Sequence, residues 1–212
     1  MFSHRRKVRG FTLIELVITI TILVILVTIA APSFVDTLDK RRLINATQAV
    51  SAHIQLARSI ALVRNQEIQL IFDINEDDEW CLGISDDWLS ETCDCFIQET
   101  IDSDQIIFPT GSCSVGVPLP GSTERMLGSI QSSQFPNITF EIPSSNSAAE
   151  IFFEPSRGLL SNSPTITQVQ YLLTSPRDRT TRVSVNIIGR VNTCSENEPL
   201  LGGIGQCANP SE

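Results

Sequence analysis

The sequence predicts an α+β protein in which one long N-terminal helix packs on a domain built around an antiparallel β-sheet. Two observations support this prediction. Residues 11–66 carry first an unbroken apolar run and then apolar residues at helical spacing. Residues 67–212 instead carry short runs of strand-forming residues separated by turn-rich stretches, with no long helical pattern between them. Strands that are joined without crossover helices pair in antiparallel fashion.

The apolar run opens the predicted helix. Residues 13–31 read LIELVITITILVILVTIAA, and with Phe11 and Thr12 the run contains a single charge, Glu15. About 20 apolar residues are enough to cross a bilayer as a helix. Four cations precede the run and indicate the cytoplasmic side: Arg5, Arg6, Lys7 and Arg9. We therefore predict a single transmembrane segment over residues 11–32 of the inner membrane, with the C-terminal domain in the periplasm.

Two other kinds of segment also begin with cations and an apolar run. A secretory signal peptide has a shorter apolar region and a small-residue cleavage site after it. Here Pro32 directly follows Ala30 and Ala31, which makes a poor cleavage site. An ordinary signal anchor offers no reason for a carboxylate such as Glu15 within the apolar run, where an ionisable group is costly and usually functional.

Residues 33–66 are predicted to continue as an amphipathic helix whose apolar face packs on the sheet. The apolar residues recur mostly three, four or seven positions apart: Phe34, Leu38, Leu43, Ala46, Val50, Ala57 and Ala61. His53 lies in this segment without a second metal-ligating or catalytic partner nearby. We interpret it as a surface or packing residue rather than a ligand.

The β-rich domain is predicted over residues 67–212. Ile68, Leu70, Phe72 and Ile74 alternate with other residues, as in a half-buried strand. The other candidate strands are 80–84, 105–109, 138–142, 150–154, 167–174 and 182–188.

The six cysteines all lie beyond the apolar run: Cys81, Cys93, Cys95, Cys113, Cys194 and Cys207. An even number in loop-rich sequence is typical of disulfides in an oxidising compartment, although six cysteines allow about 15 pairings. Free thiols are the alternative. A structural zinc site is less favoured, because Cys93 and Cys95 are separated by one residue and zinc-binding pairs usually by two to four.

The net charge argues against a broad nucleic-acid-binding surface. The chain carries 15 basic and 24 acidic residues, a net charge of −9. Without the four cations of the first ten residues, eleven basic residues face 24 acidic ones, a net charge of −13. A domain of this charge repels polyanions overall, although a small local basic site remains compatible with it.

No arrangement of residues in the sequence predicts an enzyme. The only histidines are His4 and His53, and the sequence has no P-loop, no His-Glu-x-x-His motif and no nucleophile with a histidine partner. Residues 73–79 begin like a calcium loop, but Asp78 and Ile84 occupy positions where such a loop needs glycine and glutamate. We predict a solvated acidic hairpin there, with no metal and no cofactor; a different oxygen-rich calcium site is the alternative.

The N-terminus resembles the processing site of type IV prepilins and type II secretion pseudopilins. The resemblance rests on Gly10-Phe11-Thr12-Leu13-Ile14-Glu15-Leu16, behind a short basic leader over residues 1–10. It implies that a membrane prepilin peptidase cuts after Gly10 and methylates the new amine of Phe11. It also implies that Glu15 pairs with the N-terminal amine of a neighbouring subunit during assembly. Pro32 corresponds to a proline at which pilin helices can loosen in the filament.

Two segments of the C-terminal half resemble the GspH/FimT family of pilin-like proteins. Ile151-Phe152-Phe153-Glu154-Pro155-Ser156-Arg157-Gly158 is similar to that family's F-x-P-x-G strand and turn. Val185-Asn186-Ile187-Ile188-Gly189-Arg190-Val191 is similar to its Gly-Arg strand ending. The resemblance implies a pilin-like fold and either a minor pseudopilin of type II secretion or a minor pilin of type IV pili.

Some members of the second branch are linked to DNA uptake through a basic G-R-x-R-x-C segment. Here that segment reads Gly189-Arg190-Val191-Asn192-Thr193-Cys194, so Asn192 replaces the second arginine. The remaining candidates for a weak contact with DNA or a partner are Arg177, Arg179, Arg182 and Arg190. DNA binding is therefore not favoured. We hypothesise a disulfide between Cys194 and Cys207 that holds the surroundings of Arg190 rigid.

The sequence thus predicts a minor pseudopilin that assembles into a type II secretion pseudopilus for protein export. A FimT-type minor pilin is the first alternative, and a single-pass anchored periplasmic binding module is the second. The expected partners are other pilin or pseudopilin subunits, the prepilin peptidase, the inner-membrane assembly platform and membrane lipid. After assembly we expect a periplasmic or surface filament.

Overall fold

The computed structural model describes residues 11–86, 93–97, 100–102, 105–116, 125–143, 150–161, 168–197 and 203–208. The chain divides into two compact units, Met1–Leu38 and Asp39–Glu212. The predicted leader, with the cleavage position Gly10, lies outside the described residues. A single helix, α1, runs over Leu13–Arg64 and belongs to both units.

The predicted long helix is confirmed, and its ends lie two residues inside the predicted range of 11–66. α1 contains 52 residues and continues through position 32, although a proline inside a helix removes one backbone hydrogen bond. It ends at Arg64, where Asn65 takes a positive φ of 52° and the chain turns into the first strand. The amide of Gln66 donates to the carbonyl oxygen of Ala61 across this turn, at 3.3 Å.

The second unit is built on two four-stranded antiparallel sheets. The first has the order β7-β2-β1-β9 and the second β12-β11-β10-β8, while β3 with β4 and β5 with β6 form two-stranded ribbons. The strands are β1 Ile68–Ile74, β2 Trp80–Ser85, β3 Thr100–Asp102, β4 Gln105–Ile107, β5 Ser114–Gly116, β6 Arg125–Leu127, β7 Ser129–Gln131, β8 Thr139–Glu141, β9 Glu150–Phe153, β10 Gln168–Thr174, β11 Thr180–Asn186 and β12 Val191–Ser195. One short 3-10 helix, Ser132–Gln134, follows β7.

Each predicted strand has a counterpart, but one was misplaced by two residues. The strand predicted over residues 182–188 runs over Thr180–Asn186. Ile187 and Ile188 extend its apolar pattern but lie in a turn, because the amide of Gly189 donates to the carbonyl oxygen of Asn186 at 2.8 Å. The polar strand β12, which follows this turn, was not predicted.

One face of the second half of α1 forms the centre of the core. Its buried side chains lie at helical spacing: Leu43, Ala46, Val50, Ile54, Ala57, Ile60 and Ala61. They join one cluster with apolar residues from both sheets, among them Trp80, Phe153 and Tyr171, each at most 1% exposed. The predicted stripe therefore packs on the sheets from Leu43 onward, whereas Phe34 is 64% exposed.

β1 is buried on both faces, where the alternating pattern predicted burial on one. Ile68, Leu70 and Phe72 belong to the main core. Ile71, on the opposite face, lies in a second cluster with four cysteines. Two disulfides lie within that cluster, Cys81–Cys95 and Cys93–Cys113, and they hold residues 93–95 and Cys113 over this face of the sheet.

Candidate assembly site

The first turn of α1 has a capped N-terminus. The backbone N–H of Glu15 donates to Thr12 Oγ1 at 3.3 Å, and the N–H of Leu16 donates to the carbonyl oxygen of Thr12. Thr12 is therefore the N-cap and Glu15 occupies the third helical position, the Thr-x-x-Glu pattern of a capping box. A carboxylate in this turn also interacts favourably with the positive end of the helix dipole. The side chain of Glu15 is exposed, four residues after Phe11, the predicted mature N-terminus.

Apolar side chains project from every side of the first half of α1. All described side chains from Phe11 to Thr28 are exposed, with Phe11 at 81% and Leu13 at 82%. A helix that is apolar all round requires an apolar environment to bury it. Exposed apolar surface of this extent marks a site of interaction with protein or membrane.

The polar atoms of this segment are largely satisfied within it. The hydroxyls of Thr19, Thr21 and Thr28 donate to the carbonyl oxygens of Leu16, Val17 and Ile25, at 2.7–2.9 Å. Such bonds let threonine enter an apolar environment without an unpaired donor. Glu15 is the one formally charged side chain of residues 11–28. In the part of the chain that the structure describes, no helix is both long and apolar enough to cross a membrane.

The two C-terminal segments that resemble one family meet in space. In the first turn, the N–H of Gly158 donates to the carbonyl oxygen of Glu154 at 3.0 Å. In the second, the N–H of Arg190 donates to Asn186 Oδ1 at 2.8 Å. The N–H of Leu160 donates to the carbonyl oxygen of Ile187 at 3.0 Å and joins the two turns. We call this pair of turns the two-turn junction.

Glycine is required at both turns. Gly158 and Gly189 have φ values of +62° and +72°, in the left-handed region that disfavours side chains. A Cβ atom on Gly189 would lie 2.4 Å from the carbonyl oxygen of Gly158, so the two backbones can approach only because the side chain is absent.

Arg58 of α1 joins both turns to the helix. Its Nε donates to the carbonyl oxygen of Gly158 at 3.0 Å, and its side chain lies against Gly189. The sequence analysis missed this residue. A signal was present, because Arg58 follows the core residue Ile54 by four positions and so lies beside the buried face of α1. A cation at such a place indicates a carbonyl or carboxylate partner.

Around the two-turn junction, apolar and basic side chains share the surface. Leu62, Ile187 and Ile188 are 42%, 44% and 54% exposed. Arg157 donates through Nε to Glu154 Oε1 at 2.9 Å. The hydrogen bond from Ser156, followed by that from Arg157, lowers the pKa of the Glu154 carboxyl, which keeps this turn carboxylate ionised.

The four candidate arginines do not gather at one point. Arg177 and Arg179 lie in the turn between β10 and β11, whereas Arg190 lies at the opposite end of β11, about 20 Å away at the usual strand rise. Arg177 pairs with Asp39 at 3.3 Å, and Arg182 pairs closely with Glu196. Acidic residues thus engage Arg177 and Arg182.

Cys194 and Cys207 form a disulfide, the pairing that the sequence analysis hypothesised. The N–H of Cys207 also donates to the carbonyl oxygen of Ser195 at 3.0 Å. These bonds hold the described C-terminal segment, residues 203–208, against the end of β12. Arg190 directly precedes the start of that strand, four positions before Cys194.

Residues 73–79 form a tight hairpin between β1 and β2. Asn75 Oδ1 accepts hydrogen bonds from the N–H groups of Asp77 and Glu79, at 3.0 and 2.9 Å. Among the described side chains, no group of three potential metal ligands is found. His53 is 7% exposed, and its Nε2 lies 3.0 Å from the carbonyl oxygen of Gly128, so it has a packing role.

Comparisons with known proteins identify both parts of the chain. A family model described as the prokaryotic N-terminal methylation motif matches residues 5–31. A second, described as type II transport protein GspH, matches residues 46–189. The first covers the predicted processing site, and the second covers most of the second unit.

One curated relative and one solved structure are similar to parts of the chain. The type IV narrow pilus major component PilA5 of Thermus thermophilus is 45% identical over 62 residues, which are 29% of this chain and 53% of that protein. The chain thus spans about half the length of this relative. The type IV minor pilin FimU of Pseudomonas aeruginosa superposes with a TM-score of 0.41 at 17% identity, over 74% of this chain and 90% of FimU.

Proposed function

Because the chain belongs to the family of the type II transport protein GspH, we propose that it is a minor pseudopilin, cleaved after Gly10 and assembled into a type II secretion pseudopilus. One observation carries the proposal: a single chain holds both the methylation motif over residues 5–31 and the GspH match over residues 46–189. The continuous helix α1 leads from one to the other. The work of such a subunit is assembly, not catalysis.

Before assembly, residues 11–32 anchor the precursor in the inner membrane, with the second unit in the periplasm. The exposed apolar side chains of residues 11–28 support this part of the proposal, as do the threonine hydroxyls that bond within the helix. In the filament, the same apolar surface is covered by the helices of neighbouring subunits. The prepilin peptidase and the assembly platform are the partners that these steps require.

Glu15 guides the docking of a subunit through its charge. An unpaired carboxylate in an apolar environment is costly, and an amine partner removes most of that cost. Cleavage after Gly10 creates such an amine at Phe11, next to the capped first turn of α1. We propose that Glu15 of an incoming subunit pairs with the Phe11 amine of its neighbour.

A minor type IV pilin is the second candidate; the match to a type IV pilus component of Thermus thermophilus, a major one, supports the pilus branch. DNA uptake by such a pilin is less favoured here. Phosphate contacts depend on accessible cations. Arg177 and Arg182 are paired with acidic residues, and Arg190 lies at the other end of the sheet. A stand-alone anchored binding module would have no use for the methylation motif.

The test is a strain that lacks this protein, scored at the same time for exoprotein secretion and for surface pili. Loss of secretion with normal pili supports the pseudopilin. Loss of pili with normal secretion assigns the protein to a type IV pilus instead. Normal secretion and normal pili would contradict both assembly proposals.

Complementation with Glu15→Gln tests the assembly step itself. Glutamine serves a capping box as well as glutamate does, so this substitution removes the charge and keeps the helix end. We expect a mature chain that begins with methylated Phe11, seen by mass spectrometry, but about tenfold or more reduced incorporation into filaments, as for loss of a buried ion pair. Thr19→Val is the matched control on the same helix. Wild-type incorporation of the Glu15→Gln chain would refute the role of Glu15.

A further inference from the structure

The second unit has two chemically different ends. α1 contacts the turn between β10 and β11 through Asp39, which pairs with Arg177, and it contacts the two-turn junction through Arg58. These two helix positions are about 28 Å apart at 1.5 Å per residue. The contacts therefore define a first end at the β10–β11 turn and a second end at the two-turn junction.

The second end is apolar and basic. Leu62, Ile187, Ile188, Arg157 and Arg190 form what we call the junction surface. The side chain of Arg157 is 71% exposed although it pairs with Glu154. Arg190 is exposed, and its side chain makes no ion pair with any residue that the structure describes.

Other charges near the junction surface leave it basic. Three arginines, including Arg58, stand against the two carboxylates of Glu154 and Glu67, a net charge of +1. Glu67 also accepts a hydrogen bond from the Ser161 hydroxyl at 2.7 Å. An acidic partner that also offers an apolar side chain would complement this surface.

The first end carries an acidic segment that also exposes an apolar side chain. The hairpin of residues 73–79 presents five exposed acidic residues within seven positions: Asp73, Glu76, Asp77, Asp78 and Glu79. It contains no cation, and Ile74 within it is 39% exposed. The bonds to Asn75 hold the hairpin in one conformation, so little conformational entropy is lost when it docks.

The strands place the acidic hairpin and the junction surface at opposite ends. β1 starts beside β9 and the two-turn junction and ends at the hairpin, about 20 Å further on. Near that end, Phe72 stacks on Phe140 of β8. Phe140 is paired with Leu173 of β10, which lies next to the β10–β11 turn. The hairpin therefore lies at the first end of the unit.

We propose that the junction surface of one copy binds the acidic hairpin of a second copy of this chain. Charge complementarity argues for this occupant, because the only cluster of five acids in seven residues of this sequence meets a surface whose exposed side chains are arginines and apolar residues. The contact joins unlike surfaces, so a pair of copies leaves one acidic hairpin and one junction surface unoccupied. The proposal rests on the proposed function, since it names the surface through which assembled subunits touch.

A photo-crosslinking experiment on the purified full-length chain in detergent tests the contact. Benzoylphenylalanine replaces Ile188, and its adducts after illumination are mapped by mass spectrometry. We expect a dimer adduct whose crosslinked peptide contains residues 73–79 of the second copy. Benzoylphenylalanine at Gln48, an exposed position between the two ends of α1 in this unit, is the control and should give no adduct with that peptide.

Charge variants test whether the arginine is responsible. Arg190→Gln and Gln48→Glu each lower the net charge by one, but only the first removes a cation from the junction surface. An exposed ion pair contributes up to about 1 kcal/mol, so Arg190→Gln should lower the adduct yield up to about fivefold, and Gln48→Glu should not change it. Arg190→Asp should lower the yield further, and adding Asp77→Arg to the same chain should restore it, which a misfolded chain would not do.

Three outcomes would overturn the proposal: no dimer adduct, an adduct that maps outside residues 73–79, or a charge swap that fails to restore the yield. The proposed function is judged separately, by Glu15→Gln and by the secretion and piliation phenotype. If Glu15 is required for assembly but the Ile188 adduct maps elsewhere, the function stands and this contact is wrong. If the adduct maps as expected but the strain shows neither phenotype, the contact stands and the function is wrong.

Discussion

Arg58 Nε donates a hydrogen bond of 3.0 Å to the carbonyl oxygen of Gly158, and this bond connects the end of the long helix to the turn of the first C-terminal motif. The same side chain lies against Gly189 of the second motif. One helix residue therefore holds two sequence-distant turns in register with each other.

Replacing Arg58 with methionine should destabilise the second unit while keeping most of the packing of the side chain. Hydrogen bonds to charged groups contribute about 1.5–3 kcal/mol, and part of that is lost here because Arg58 is only partly buried. We expect a loss of about 1–2 kcal/mol in the free energy of unfolding, measured in urea. Arg41→Met, at an exposed position of the same helix, should change it by less than about 0.5 kcal/mol. Equal effects of the two substitutions would show that the hydrogen bond from Arg58 to Gly158 does not stabilise the second unit.

Gly189→Ala should be among the most damaging glycine substitutions in the described chain. The new Cβ would meet the carbonyl oxygen of Gly158 at 2.4 Å, and φ at this residue is +72°. Strain of this kind costs about 1–3 kcal/mol, and the clash adds to it. The melting temperature of the variant is the measurement.

Two other glycines separate the clash from the backbone strain. Gly203 has a φ of +86° with nothing near its missing Cβ, whereas Gly205 has open space and no positive φ. We expect about 1 kcal/mol of destabilisation from Gly203→Ala and less from Gly205→Ala. If Gly189→Ala destabilises no more than Gly203→Ala does, the close approach of the two turns is not a constraint.

His53 makes stability depend on pH. Burial lowers its pKa from 6.5 to about 4, against a smaller opposing effect of its hydrogen bond to Gly128. The unfolded chain therefore binds a proton at higher pH than the folded chain does. The stability that the neutral imidazole contributes is present above about pH 6.5 and is lost as the pH falls toward about 4, by up to about 3 kcal/mol.

The comparison with His53→Gln isolates this effect. Glutamine can still donate to the carbonyl oxygen of Gly128 but does not titrate. Between pH 7 and about 4.5, the free energy of unfolding of the wild-type chain should fall more steeply than that of the variant, because the carboxylates titrate alike in both. Parallel curves would contradict the role of His53.

Thr47 and Thr181 share a buried hydrogen bond with a definite direction. Thr47 Oγ1 donates to the carbonyl oxygen of Leu43 at 2.7 Å, so it accepts the proton of Thr181 Oγ1, also at 2.7 Å. Thr47→Val leaves the Thr181 hydroxyl without its acceptor and should cost about 1–3 kcal/mol, whereas Thr181→Val leaves Thr47 satisfied and should cost less. In urea unfolding, the double variant should be more stable than Thr47→Val alone. A double variant less stable than both single ones would argue against this direction.

Local patterns predicted most of the regular structure. Helical spacing over residues 33–66 indicated α1, and period-two patterns indicated strands close to β1, β2, β9 and β10. Three-residue strands such as β5 and β7 were missed, since three residues carry too little periodicity to recognise. The strand predicted over 182–188 was misplaced because Ile187 and Ile188 continue an apolar pattern on the surface of a turn.

The candidate assembly site also contains residues that the sequence predicted and one residue that it did not. The processing motif and Glu15 lie within a few consecutive residues, so the sequence alone predicts them, and the matches over residues 5–31 and 46–189 confirm the family. The role of Arg58 depends on contact with residues 100 and 131 positions away, which no local pattern contains.

The sequence by itself determined the family, the helix and the alternation of strands and turns, because each depends on neighbouring residues and on the periodicity of the backbone. Only the tertiary structure decided which cysteines pair, which arginines are bound by acids, and that the acidic hairpin and the junction surface lie at opposite ends of one unit. Those relationships depend on how the strands order and register in the sheets, and that order is set by the packing of the whole core against α1.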